Sequence, residues 1–167
     1  MESFGGEGRI LREDYGNFVL FNLYSPTGIS SKDLVHKFDF YEHFLKTMKE
    51  LVDEEHNVLV CGDFNIAHRK LDLVNPETAC KREGFLPEER KILDRLVECG
   101  YLDTFRMFNH GGDNYTWRSY DRSCREKNLG MRLDYFFASE SLGENIQSAY
   151  IRHDIPGSDP AQSVRTS

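Results

Sequence analysis

The sequence predicts an α/β layered domain, and three observations carry that prediction. Short runs of branched and aromatic residues alternate with long segments of helical periodicity along the 167 residues. Hydrophobic residues make up 39% of the chain and include 12 Phe, enough for one real core. The run Val58-Leu59-Val60-Cys61 stops at Gly62-Asp63, as a buried strand does when it opens into a loop. No internal repeat or low-complexity linker interrupts the chain, so a single domain over residues 1–167 is the simplest organisation.

Phe18 to Tyr24 reads as the first strand. Ser31 is the expected N-cap of a helix running to about Glu54. Its apolar face is Leu34, Val35, Phe38, Tyr41, Phe44, Leu45, Met48, Leu51 and Val52, at helical spacing, and reads as core. Val58 to Cys61 is the second strand. A second helix opens near Pro87, a residue suited to a first turn, with Ile92, Leu93, Leu96 and Val97 as its buried stripe and Gly100 as its stop. Tyr115 to Trp117 and Arg132 to Ala138 are further strands, and Asn145 to His153 adds one more.

The formal net charge is −7, which argues against broad, non-specific coating of nucleic acid. Positive charge is local: Arg118, Arg122, Arg125, Lys127 and Arg132 fall between Trp117 and Leu133, as a phosphate-facing loop or as a solvated surface loop. The four cysteines, Cys61, Cys80, Cys99 and Cys124, have no CxxC spacing and read as reduced thiols of a cytoplasmic protein. The six His form no His-Glu-x-x-His pattern, and no apolar run is long enough to span a membrane.

The most informative stretch is Gly62-Asp63-Phe64-Asn65. In open α/β sheets, ligands sit beyond the carboxyl ends of strands. A carboxylate and an amide two residues apart at such a place suit a hard cation and a phosphate. Alone, the tetrapeptide is equally a turn in which Asp and Asn bond their own backbone.

Further segments decide between these readings. They are Phe21-Asn22-Leu23-Tyr24-Ser25-Pro26, Arg69-Lys70-Leu71-Asp72-Leu73-Val74-Asn75-Pro76, Gly84-Phe85-Leu86-Pro87-Glu88-Glu89-Arg90 and Asp103-Thr104-Phe105-Arg106. Tyr115-Thr116-Trp117, Gly130-Met131-Arg132-Leu133-Asp134-Tyr135-Phe136 and Gly157-Ser158-Asp159 complete the set. In this order and spacing the chain resembles the exonuclease III and apurinic/apyrimidinic endonuclease family, within the endonuclease/exonuclease/phosphatase superfamily. The resemblance runs from about Gly8 to Asp159. The Gly-Asp-Phe-Asn and Ser-Asp pieces are shared across the superfamily. The Tyr-Thr-Trp and Arg-Leu-Asp-Tyr pieces point to its DNA-repair branch, rather than to a sugar or lipid phosphatase.

The resemblance implies a partial two-sheet α/β sandwich flanked by helices. It also implies an Mg²⁺- or Mn²⁺-dependent nuclease acting on double-stranded DNA at abasic sites or 3′ ends, in the cytoplasm or at the nucleoid. It assigns Tyr24, Asp63, Asn65, Asp134 and Asp159 to catalysis, with Asp63, Asn65 and Asp159 meeting the metal. Trp117 and Met131 match the pocket that receives a flipped-out sugar, with Arg118 beside it. Asp134, set among Leu133, Tyr135 and Phe136, needs a partner. Arg132 is one candidate; service on the active-site face and a cross-strand pair are the alternatives.

The chain departs from the family pattern in several places. Arg118 stands where a second tryptophan is usual, Met131 where Gly-Trp-Arg has Trp, and Thr27 where Asn commonly follows Tyr-x-Pro. Residues 1–17 match neither the family's first strand nor its metal-binding Glu, so the resemblance implies an incomplete domain whose N-terminal part is absent. The family reads Gly-Ser-Asp-His-Cys-Pro-Val, whereas this chain reads Gly157-Ser158-Asp159-Pro160-Ala161-Gln162-Ser163 and then a divergent polar tail over 160–167. If Asp-His-Cys-Pro-Val is written with the codons GAC-CAC-TGC-CCA-GTC, deleting one base gives GAC-CCT-GCC-CAG-TC, so a one-base deletion in the gene is the expected origin of that departure. Without the His and the Glu, the expectation is an impaired enzyme, or a catalytically dead remnant that binds nucleic acid.

Overall fold

The computed structural model describes residues 7–119, 121–152 and 161–166. Strands β1 (Ile10–Asp14) and β2 (Val19–Tyr24) pair antiparallel. Helix α1 (Ser31–Asp53) crosses over the sheet, so β3 (Val58–Asp63) returns parallel to β2. The chain continues through α2 (Pro76–Ala79), α3 (Pro87–Glu98), β4 (Tyr101–Asp103) and α4 (Thr104–Phe108). A short ribbon of β5 (Trp117–Arg118) and β6 (Gly130–Met131) encloses α5 (Arg122–Glu126). Then β7 (Asp134–Ser139) enters the main sheet antiparallel to β3 and β4, giving the order β1-β2-β3-β7-β4. Strands β8 (Ile146–Arg152) and β9 (Ala161–Thr166) form a separate antiparallel pair.

The two faces of the main sheet differ. Val19, Phe21 and Leu23 of β2, Val58 and Val60 of β3, and Tyr135 and Phe137 of β7 share one core with Phe44 and Met48 of α1 and Leu93 and Leu96 of α3. Phe64 sits at its centre, edge-on to Phe44, Tyr135 and Phe137 at 6.3, 5.3 and 5.3 Å. The opposite face carries the other half of each strand's alternation. Its rows are Leu20, Leu59 and Ala138, then Asn22, Cys61 and Phe136, then Tyr24, Asp63 and Asp134. A cleft of about 320 Å³ separates the first of these rows from Ile146 and Val164 of the β8–β9 pair. The expected α/β layered architecture is present, with α1 and α3 packed on one face of the five-stranded sheet and the β5–β6 ribbon and β8–β9 pair as two further sheets. No helix among the described residues is long and apolar enough to cross a membrane.

Several elements differ from the sequence expectation, each for a physical reason. The N-cap of α1 is Ser30, not Ser31, because Asp33 completes a capping box with it: the Asp33 N–H donates to Ser30 Oγ at 3.2 Å and the Ser30 N–H donates to Asp33 Oδ2 at 3.0 Å. The buried stripe of α1 is Lys37, Phe40, Tyr41, Phe44, Leu45, Met48 and Leu51, while Val35 is 60% exposed. A charged residue, Lys37, occupies the first turn of that stripe because an ion pair satisfies it. Tyr115 and Thr116 lie outside β5, and Arg132 and Leu133 lie outside β7. The Arg132 N–H donates to the Asp72 carbonyl at 2.7 Å instead of to a strand partner.

Four strands are additions, β1, β4, β6 and β9. β1 is short and charged beyond Leu11, a composition suited to an edge, and backbone pairing with β2 forms it. Residues 161–166, expected as a divergent tail, form β9, since ladder bonds to β8 require no apolar side chains. His153 lies outside the described residues.

Candidate active site

Three strand ends bring three polar side chains into one row. Tyr24 closes β2, Asp63 closes β3 and Asp134 opens β7; Tyr24 is the register partner of Asp63, and Asp63 of Asp134. Register partners on adjacent strands project to the same face. The row lies at the carboxyl ends of the parallel pair, where α/β sheets place their ligands. Tyr24 is 56% exposed, and both carboxylates are half-buried. Gly62 permits this closeness: at φ +128°, an added Cβ would stand 2.0 Å from the Leu23 carbonyl oxygen.

Asn65 caps the row. It adopts the left-handed conformation at φ 50°, which Asn tolerates better than most residues. Its backbone N–H donates to Asp63 Oδ1 at 2.8 Å. Its side-chain Nδ2 donates to the Ser25 carbonyl at 3.0 Å and lies 3.3 Å from Asp63 Oδ2. The tetrapeptide is thus a turn and a polar site at once. Burial pushes the Asp63 carboxyl up from its ordinary range, against the Asn65 N–H and the Lys37 ammonium, which favour the ionised form.

Beneath this loop stands a group that the sequence reading passed over. Lys37 is completely buried; its Nζ donates to the Asn65 carbonyl at 2.8 Å and to Glu89 Oε1 at 2.6 Å. One helical turn on, the buried Tyr41 hydroxyl donates to the Phe64 carbonyl at 2.5 Å. The signal was positional: residue 37 sits one turn before Tyr41 on the stripe that faces the sheet.

Asp134 is seated by Thr116. The Leu133 and Asp134 N–H groups donate to the buried Thr116 Oγ1 at 2.9 and 3.0 Å. The middle residue of Tyr-Thr-Trp therefore fixes the start of β7. Arg132 is turned elsewhere. Residues two apart on a strand share a face, but Arg132 precedes β7, and its buried guanidinium binds Asp103 at 2.6 and 3.0 Å and Asp72 at 2.8 Å. Arg106 also donates to Asp72. Burial alone would raise the Asp72 carboxyl; the Arg132 and Arg106 guanidiniums outweigh it and hold it below the usual range.

The expected pocket residues separate into two faces. Trp117 and Met131 are register partners on the ribbon. Trp117 is 41% exposed, while Met131 packs partly against Leu73, Ala79, Phe85 and Leu133. Arg118 is the next residue along the strand and points the other way. It is buried and donates to Asn128 Oδ1 at 2.6 Å and to the Tyr115 carbonyl at 3.4 Å. The geometry gives Arg118 a loop-fastening place rather than one beside Trp117. With Arg132 also buried, two of the five basic residues are internal guanidiniums, while Arg125 and Lys127 are exposed. Asp159 lies outside the described residues.

The donors in the row are all oxygen: two carboxylates, an amide and a phenol. Among the described residues no group of three or more His, Cys, Asp or Glu is placed to hold a metal. Two carboxylates directly opposite one another repel, and a hard divalent cation that keeps several waters fits such a pair.

A sequence profile of the Endonuclease/Exonuclease/phosphatase family matches residues 2–159. An exodeoxyribonuclease from Bacillus subtilis (strain 168) is 35% identical over 161 residues, 95% of this chain and 64% of that relative. A DNA-(apurinic or apyrimidinic site) endonuclease from Dictyostelium discoideum is 36% identical over 159 residues, 92% of this chain and 44% of that relative. The chain thus spans less than two thirds of either. A 3′-5′ exonuclease structure from Neisseria meningitidis superimposes with a TM-score of 0.86 at 19% identity, covering 95% of this chain and 64% of that one. At that identity the likeness speaks for the fold.

Proposed function

The chain belongs to the endonuclease/exonuclease/phosphatase family, and on that premise we propose that its polar row is a phosphodiesterase site acting on double-stranded DNA at abasic sites or 3′ ends. The observation that carries this reading is the Tyr24–Asp63–Asp134 row with Asn65 bonded at its head. The exodeoxyribonuclease and apurinic-site endonuclease relatives support the substrate class.

Phosphodiester hydrolysis needs an aligned water, stabilisation of the phosphoryl oxygens, and protonation of the leaving oxygen. Asp63, with its raised carboxyl, is suited to hold a proton or to face the cation. The Asn65 amide is fixed by the Ser25 carbonyl and orients the phosphate. The Tyr24 phenol is exposed and donates to a phosphoryl oxygen, and Asp134 flanks Asp63. A bound Mg²⁺ or Mn²⁺, met by Asp63, Asn65 and Asp159, would supply the charge that the phosphoryl group develops against. Trp117 and Met131 offer an apolar wall for a sugar that carries no base.

A second reading follows from Pro160. It stands where the resembling motif has His, so the imidazole is lost and turnover falls; the chain would then bind nucleic acid with little cleavage. With either reading the proposed location is the cytoplasm or the nucleoid. The test is cleavage of abasic duplex and of a 3′-ended duplex with Mg²⁺, alongside a phosphorylated small molecule. Slow DNA cleavage, raised on the order of 10²–10³-fold by Pro160→His, is the expected result. Turnover of the small molecule alone would contradict the DNA reading.

A further inference from the structure

We propose that Lys37, held by Glu89 and working with Tyr41, is a positioning device that sets the conformation of the Asp63–Asn65 loop. The inference builds on reading that loop as part of the active site. Two donors one turn apart on α1 grip two successive carbonyls, Phe64 through Tyr41 Oη and Asn65 through Lys37 Nζ. Fixing both carbonyls fixes the peptide planes between which Asn65 takes its left-handed turn. That turn is less favourable in a non-glycine residue, and the two held carbonyls support it. It is also what aims the Asn65 N–H at Asp63 Oδ1 and lets Nδ2 reach the Ser25 carbonyl.

Stability alone does not call for this arrangement. Lys37 and Glu89 are both fully buried, and apolar replacements for a buried ion pair are commonly neutral or stabilising. The pair instead connects three elements. Glu89 Oε1 accepts from Lys37 while Oε2 accepts from the Leu86 N–H at 2.9 Å, at the start of α3. The loop is thereby referenced to both helices beneath the sheet. The ammonium is also a positive charge under a half-buried carboxylate, where a neutral donor would give the hydrogen bond without the field.

The test is the double variant Lys37→Met/Glu89→Gln in the full chain, which removes both charges, keeps the side-chain volumes and leaves no unpaired ion. The backbone and side-chain amide signals of Asn65 are followed in a ¹⁵N-labelled sample, with thermal unfolding, kcat and KM in parallel. The expected result is a cooperative fold in which the Asn65 amides shift and lose exchange protection while β8 amides stay in place. kcat should fall roughly 10- to 100-fold with KM changed less than about threefold, as for displaced catalytic groups. Unchanged Asn65 signals in the folded variant overturn the proposal. Tyr41→Phe removes a single oxygen and covers failure of the double variant to fold: it should shift the Phe64 and Asn65 amides, and no shift overturns the proposal equally. The amide readout needs no turnover. A chain that cleaves no DNA even with Pro160→His would refute the functional reading and leave the positioning claim to be decided by the spectra.

Discussion

Asp63 carries a cost to the fold that its site requires. Burial raises its carboxyl, so the folded protein binds that proton more tightly than the unfolded chain does. Ionised Asp63 therefore opposes folding above its folded pKa, and the stability linked to it is greater in acid and lost as pH rises through that value. Asp63→Asn keeps an acceptor for the Asn65 N–H and removes the charge. We expect its thermal midpoint at neutral pH to match or exceed the parent's while metal-dependent cleavage drops on the order of 10²–10³-fold. A clearly lower midpoint would mean that the carboxylate is structural. Trp117→Ala belongs to a different class. It removes an apolar wall, so the ratio of abasic nicking to 3′-end trimming should fall, and equal losses in both would make Trp117 a packing residue. The tetrapeptide was legible because polar residues at the end of an apolar strand are unusual, and Trp117 was legible only through the family resemblance. Lys37 and Thr116 were not, because their partners, Asn65 and Asp134, come from elements 28 and 18 positions away in sequence.

At the scale of elements, the entry into β7 depends on charges rather than on alternation. Asp72, Asp103, Arg106 and Arg132 form one buried network that holds the 3₁₀ turn Lys70–Asp72, the end of β4 and the segment before Asp134. Arg132→Leu leaves two carboxylates without their shared guanidinium and should cost about 3–5 kcal/mol, read from urea unfolding. The same network sets an acid limit. The carboxyl of Asp72 is depressed in the fold, so its contribution is complete above the unfolded value near pH 4 and lost as pH falls through the lower folded value. Urea midpoints measured from pH 7 to pH 3 should show this loss, and Asp72→Asn should flatten it. At the other end of the core, Ser30→Ala should cost about 1 kcal/mol through the cap of α1. Strand-helix order and the long helix were readable from periodicity. β1 and β9 were not, because an edge strand and a ladder of polar residues carry little apolar signal; ladder pairing creates them.

At the scale of the molecule, the sheet divides its work between two faces and two ends. One face is a closed core under α1 and α3, and the other presents apolar rows that give way to the polar row at the strand ends. A net charge of −7 leaves little long-range attraction for a polyanion, so the proposed engagement of DNA rests on the local site and a cation within it. The claim that joins these scales is that Tyr24, Asp63, Asn65 and Asp134 form one divalent-cation and phosphate site. The most direct test is paramagnetic line broadening of backbone amides by trace Mn²⁺ in the ¹⁵N-labelled chain. The amides of Tyr24, Asp63, Asn65 and Asp134 should broaden first and together, Mg²⁺ should reverse the broadening, and Asp63→Asn should abolish it. Broadening centred instead on the exposed carboxylates of α1, or persisting unchanged in Asp63→Asn, would contradict the claim.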